Sequence, residues 1–206
     1  MRALPAISLL LASPFSLAAL PVWQVDPVHS KVLVAVDHAG FSRSLALLPV
    51  SSGQLHYDPA DPASARIEVV LEPALLDFGN PRWNAAVHGS GLLAVQAHPQ
   101  ARFRSTRVSV VDDGQWLIEG TLELRGTTLP VQLLTRRNGQ RRHPLPPFRQ
   151  TAGFSASGEL SRAAFGVSAW PGMVGDAVQL QIELEVTRRS QPGNNTGADA
   201  DADQPS

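Results

Sequence analysis

The chain has 206 residues with 17 basic and 18 acidic side chains, so no basic excess points to a nucleic-acid partner. Hydrophobic residues make up 43% and charged residues 17%, which excludes a disordered chain and suits one large domain. Cysteine is absent, which removes disulfides, thiolate-held metals, cysteine nucleophiles and a lipid-modified N-terminal cysteine.

The chain opens with Met1, Arg2 and a mostly apolar run over residues 4–20, with small residues at Ser16 and Ala18. That pattern predicts a secretory signal peptide over 1–18, and hence a periplasmic protein. Pro5, Pro14 and Pro21 interrupt the run, which argues against a membrane-spanning helix. The folded domain is expected over 19–189. Residues 190–206 are small, polar and acidic, and lack any large apolar side chain to recover ordering entropy, so they predict a disordered tail.

Between the ends, strand follows strand. Side chains alternate across a strand, so period-two patterns predict strands near 30–37, 53–57, 66–71, 102–110, 117–125, 127–136, 154–162 and 177–187. The last is the clearest, with Val178, Leu180, Ile182, Leu184 and Val186 on one face. Asp113-Gly114 and Arg125-Gly126 predict tight turns, so neighbours run antiparallel. Residues 82–93 carry a short helical pattern that Gly89 and Gly91 weaken, and 138–150, rich in arginine and proline, predicts an extended loop. One dry face per strand leaves a two-sheet sandwich or a barrel. Gly120, Ala156 and Gly158 on the dry faces lean towards a hollow barrel, with bulges or close packing as the other explanation of the glycines.

Catalytic and metal motifs do not assemble. His29 and His38 flank one strand, nine residues and roughly 30 Å apart if extended, too far to share an ion. There is no Gly-x-Ser-x-Gly elbow, HExxH pair or phosphate-binding glycine loop. Paired acids such as Asp112-Asp113 sit in turns. No catalytic residue, metal or cofactor is expected. Phe41, Phe78, Trp83, Phe103, Phe165 and Trp170 fall in loops or at strand ends, where they can close a barrel or line its opening.

Five segments in order resemble the YceI-like family of exported bacterial proteins. They are Trp23 to Ser30 with Val36 to Ser42, His98 to Thr106, Glu119 to Val131, Ser161 to Val167, and Gly175 to Val178. The resemblance implies an antiparallel, up-and-down, lipocalin-like barrel of about eight strands. It also implies non-catalytic binding of a long isoprenoid lipid, either a polyprenyl chain or an isoprenoid quinone, for transport, storage or sequestration. The chain departs from the family pattern at Ala46-Leu47-Leu48, in place of glycine–x–phenylalanine, and at Asn84, where an acidic residue is common.

On that reading Val32, Val34, Val36, Phe103, Ile118, Leu122, Leu124, Phe154, Val178, Leu180 and Ile182 line the lumen. His38, Arg162 and Trp170 are placed at its mouth as partners for a head group. A transient membrane-surface contact and a homodimer are further expectations. Two other readings stand beside this one. The first is an accessory factor or small enzyme acting on a quinone or other electron carrier through His29 or His38. The second is a barrel with a packed interior that binds an envelope protein.

Overall fold

A computed structural model of the protein describes residues 20–188; the expected leader and tail lie outside the described residues. Nine strands follow in chain order: β1 (Val22–Val25), β2 (Lys31–His38), β3 (Ser42–Asp58), β4 (Asp61–Leu71), β5 (Ala101–Asp112), β6 (Gln115–Leu124), β7 (Thr127–Arg142), β8 (Gln150–Ser161) and β9 (Val174–Arg188). A 3-10 turn, Pro73–Leu75, and one helix, α1 (Pro81–His88), lie in the connection from β4 to β5.

From β2 onward each strand pairs antiparallel with the next, and β9 returns to β2, so the sheet closes into an up-and-down barrel. The expected count of about eight is met because β1 and β2 share one position. Both lie between β3 and β9, β1 against residues 54–56 and 186–188, and β2 further along the same two strands. The break between them is stitched by Ser30, fully buried, whose hydroxyl accepts from Glu185 N at 3.0 Å and donates to Glu185 O at 3.3 Å. Closure removes the exposed strand edges that an open sheet would present.

The β6–β7 turn is the two-residue type expected from its sequence: Arg125 (φ 52°) and Gly126 (φ 75°) both adopt positive φ. Helix α1 begins where Asn80 caps the amides of Arg82 and Trp83 and Pro81 supplies the preset first turn. It stops at Gly89, so the stretch 89–97 is a series of turns and only part of the expected 82–93 segment is helical.

Two expectations are corrected. The arginine-rich segment is only partly loop: β7 runs on to Arg142 and β8 starts at Gln150, leaving a loop of 143–149. Ladder pairs from Gly139–Gly153 to Arg142–Gln150 extend this hairpin, so Arg141 and Arg142 stand on the strand while Arg149 stays in the loop. The lumen does not come from Gly120 or Gly158. A Cβ on Gly120 would lie 2.5 Å from the Phe103 ring, which fills that space, and one on Gly158 would lie 2.9 Å from Gln132 O. These glycines serve close packing.

Candidate functional site

The two ends of the barrel differ. At one end Trp23, Tyr57, Trp116 and Phe154 are buried against one another, with neighbouring ring centroids 5.5–6.2 Å apart. Trp23 Nε1 donates to Tyr57 O at 3.2 Å, and Arg137 donates to the Tyr57 hydroxyl at 3.3 Å. This aromatic cluster stops the lumen. The other end carries the β2–β3 hairpin, the β4–β5 connection with α1, the β6–β7 turn and the β8–β9 loop.

Between them lies a cavity of about 610 Å³, inside the size range typical of ligand sites. From Trp116 to Leu124, β6 rises roughly 27 Å at about 3.4 Å per residue. With a barrel tilt of about 40° the lumen is then roughly 20 Å deep. Val34, Leu180 and Ile182 face inward yet are only partly buried, because space and not protein lies in front of them. The interior is therefore not packed solid.

All fourteen residues singled out from the sequence border this one cavity. Val32, Val34 and Val36 on β2 stand directly across the ladder from Ile182, Leu180 and Val178 on β9. Phe103 on β5 faces Leu122 on β6, with Ile118 and Leu124 on the same face, and Phe154 lies at the closed end. His38 ends β2 at the mouth, where its ring lies 5.4 Å from that of Trp83 on α1. Trp170, 55% exposed, stands across the mouth on the β8–β9 loop.

Arg162 is at the mouth but is only 7% exposed, and its guanidinium is committed. Nε donates to Gly175 O at 2.8 Å, Nη1 to Val167 O and to Ala169 O at 3.0 Å, and Nη2 to Val174 O at 2.7 Å. Four of its five N–H groups thus fold the β8–β9 loop around it. Arg125 acts similarly: from the β6–β7 turn it donates to Gly166 O and to Ser90 O, the latter at 3.0 Å.

Sequence reasoning missed the walls from β3, β4 and β7, where Leu48, Val50, Leu55, Ile67, Val69 and Leu133 reach the cavity. It also missed most of the cover, of which only Phe78 and Trp83 stood among the residues expected to close a barrel or line its opening. Leu76, Phe78, Val87 and Leu92 of the β4–β5 connection lie over the mouth, and that connection is pinned to the edge of β3 beyond the reach of β4 by paired backbone hydrogen bonds between Leu47 and Asp77, both 2.9 Å. Asn84 completes the anchor: its amide donates to Asp77 Oδ1 at 2.7 Å while its oxygen accepts from Phe78 N at 2.8 Å. A carboxylate at 84 could not donate to Asp77, so the asparagine suits this arrangement. The Asn84 bond, with the amide of Gly79, holds the Asp77 carboxyl below the usual range.

On the β7–β8 side the ladder ends at Leu134–Ser157, and above it Gln132 and Glu159 border the cavity. Thr135 is 5% exposed near Trp116, and its hydroxyl has no partner among the described residues.

His29 lies away from the cavity, at the break between β1 and β2, with Nδ1 2.8 Å from Asp26 Oδ2. That hydrogen bond raises the His29 pKa. Burial pushes Asp26 up, but the bonds from His29 and Val28 N outweigh it and leave its pKa lowered. With Glu185 these two form a trio close enough to share an ion, a grouping the sequence did not suggest. The two polar partners already satisfy one another.

Comparison with known proteins agrees with the fold. Residues 23–186 match the YceI-like domain. A UPF0312 protein of Azotobacter vinelandii is 29% identical over 189 residues, covering 92% of this chain and 97% of its own. Burkholderia cenocepacia BcnA is 22% identical with a TM-score of 0.69, covering 78% of this chain and 98% of its own. A polyisoprenoid binding domain from Saccharophagus degradans, implicated in plant cell wall breakdown, is 12% identical with a TM-score of 0.55, covering 82% of this chain and 99% of its own. The closed eight-position barrel and the match along nearly all of it make this chain a member of the YceI-like domain family.

Proposed function

We propose that the protein binds a long isoprenoid lipid, a polyprenyl chain or an isoprenoid quinone, inside the barrel without catalysis, and carries, stores or sequesters it in the periplasm. The observation that carries this reading is the deep, blind, almost wholly apolar cavity. Each methylene moved from water into such a space contributes about 0.8 kcal/mol. A cavity roughly 20 Å deep with one closed end suits a linear hydrocarbon better than a compact ligand. The polyisoprenoid binding of the Saccharophagus domain, similar in fold, supports the same ligand class. The apolar opening segment with its small residues supports export.

The rim gives the lipid a route. Phe41 at the tip of the β2–β3 hairpin is 90% exposed, and Trp170, Met173 and Trp83 around the same end are 55%, 53% and 44% exposed. Ala39 N donates to Met173 O at 2.8 Å, which holds the hairpin against the β8–β9 loop so that these side chains share one end. Aromatic and apolar side chains at the mouth of a lipid cavity suit transient contact with a membrane surface, where cargo is exchanged. Organic extraction of protein purified from its native host, followed by mass spectrometry, tests the reading. A stoichiometric prenyl lipid is expected; protein that yields none refutes it.

A further inference from the structure

We propose that the β7–β8 hairpin is a second binding surface, at the closed end of the barrel, and that its partner is a bilayer carrying anionic lipid headgroups.

The sequence sets the charge. No acidic residue occurs between Glu123 and Glu159, while Arg136, Arg137, Arg141, Arg142 and Arg149 all fall in that stretch. The fold then carries the distal part clear of the neighbouring strand. On its β6 side β7 loses its ladder partner after the Arg136–Gln115 pair, and Arg137 N makes a last contact, donating to Gly114 O at 2.8 Å. Residues 138–142 run on with only β8 beside them, about 17 Å at about 3.4 Å per residue. Successive side chains point to opposite faces of a strand, so the exposed Arg141 and Arg142 put one cation on each face of the ribbon.

None of these five arginines forms an ion pair among the described residues. Arg137 is tied to the Tyr57 hydroxyl, and Arg142 Nε donates to Phe148 O at 3.0 Å; Arg136, Arg141 and Arg149 are exposed. Arg188, also exposed, ends β9 one step past the Thr187–Thr151 pair and adds a cation at the base of the hairpin. The acids of the same end stand on other turns, Asp58 and Asp61 between β3 and β4, Asp112 and Asp113 between β5 and β6. Asp58 and Asp112 accept from amides of their own turns, Ala60 N and Asp113 N.

Charge alone would fit any polyanion, and the tip decides among them. Leu145 and Phe148 stand at the turn of the hairpin, 64% and 46% exposed. The loop is held in shape: His143 N donates to Arg149 O at 2.8 Å, Phe148 N donates to Leu145 O at 2.9 Å, and the Arg142 guanidinium lies 5.7 Å from the Phe148 ring centroid. Apolar side chains at the tip with arginines directly behind them match the layering of a bilayer surface, where phosphates lie outside the acyl chains. A guanidinium forks onto phosphate oxygens, and the two apolar side chains leave water as they pass that layer. A soluble acidic polymer would satisfy the arginines and leave Leu145 and Phe148 in water. This surface lies at the opposite end from the aromatic rim, so it neither uses the cavity nor depends on what fills it.

Co-sedimentation of the protein with vesicles of phosphatidylcholine alone, and of equal parts phosphatidylcholine and phosphatidylglycerol, tests the inference. Binding to the anionic vesicles is expected to be roughly tenfold tighter and to fall as salt rises. Arg141→Gln with Arg149→Gln is expected to remove most of that preference. Leu145→Ser with Phe148→Ser should weaken binding to the anionic vesicles about threefold. Both pairs should leave Tm unchanged, because all four side chains are exposed. Equal binding to the two vesicle types overturns the inference, and so does a preference that survives the arginine substitutions. A preference lost with the arginines but unmoved by the tip substitutions assigns the hairpin to a soluble acidic partner and overturns the bilayer. The lipid cargo stands or falls separately, on the extraction experiment.

Discussion

Arg162 offers a direct separation of framework from ligand contact. Each hydrogen bond from a charged donor contributes about 1.5–3 kcal/mol, and a buried acceptor left without a partner costs about 1–3 kcal/mol. Arg162→Met keeps much of the side chain's length but removes all four bonds. Val167 is buried, whereas Ala169, Val174 and Gly175 are partly open, so water can re-solvate some of the freed carbonyls. The net loss is therefore below the gross value and nearer the 3–5 kcal/mol typical of breaking a buried charged network, or about 4 kcal/mol. Against a total stability of about 5–15 kcal/mol that is a large share.

Arg162→Lys is expected to recover little of this. An ammonium presents a point charge in place of a planar fork, and it cannot reach acceptors contributed by four residues spread over 167–175 at once. Urea unfolding of the protein, read by far-ultraviolet circular dichroism, measures both variants. A drop of roughly 10 °C in Tm should accompany the loss in Arg162→Met. If instead Arg162→Met costs under about 1 kcal/mol while lipid affinity collapses, Arg162 is a ligand contact and the framework argument is wrong.

Other perturbations follow from the same contacts. Thr135→Val removes a buried hydroxyl without a partner and is expected to raise stability by about 1 kcal/mol; a loss on unfolding would mean the hydroxyl is satisfied. Gly120→Ala puts a methyl 2.5 Å from both Arg104 O and the Phe103 ring, and should cost about 1–3 kcal/mol while driving that ring into the lumen and reducing lipid capacity. His29, raised by Asp26, adds stability that is fully present below its ordinary pKa of about 6.5 and is lost as pH rises through the higher folded value. Asp26, lowered, adds stability above its ordinary value that is lost as pH falls through the lower folded one. The difference between the unaltered protein and His29→Gln should thus be larger near pH 5.5, about one unit below where a free histidine titrates, than near pH 9, about two and a half units above it; equal differences would refute the pairing. Phe41→Ser with Trp170→Ser should weaken vesicle co-sedimentation without lowering Tm, since both side chains are exposed.

How much of this was legible depends on phase. Strands β6 and β9 alternate without interruption along their lumen-facing stretch, so Ile118 to Leu124 and Val178 to Ile182 read directly as one face, whereas the unbroken apolar run Val32 to Val36 of β2 leaves its inward face open. Strand β3 defeats that reading because its register shifts between Val50 and Ser52. Ala46, Leu48 and Val50 face inward at even positions before the shift, and Leu55 and Tyr57 at odd positions after it. A bulge adds one residue and reverses which parity is buried, so a seventeen-residue strand resembles a five-residue one flanked by loop. Strand β5 repeats the effect around Thr106, with Phe103 and Val108 both buried although their numbers differ in parity. The arginines of β7 hid its continuation past 136, because on a hairpin extending past the core both faces can be polar and no dry face marks it.

The mouth was harder for a different reason. Its chemistry is set by which donors are already used, and the partners lie far apart in sequence: Arg125 reaches Ser90 and Gly166, and Asn84 reaches back to Asp77. An arginine beside an apolar cavity invites assignment to a head group, and position alone supports it. The four carbonyls around Arg162 change the chemistry available there, since a guanidinium with one N–H to spare orders a loop and offers little to an anion. The same loop carries Trp170 and Met173 on the rim, so the buried charge fixes the apolar edge of the opening. Loss of Arg162 should therefore disturb lipid binding only through that edge, and in proportion to the loss of loop order.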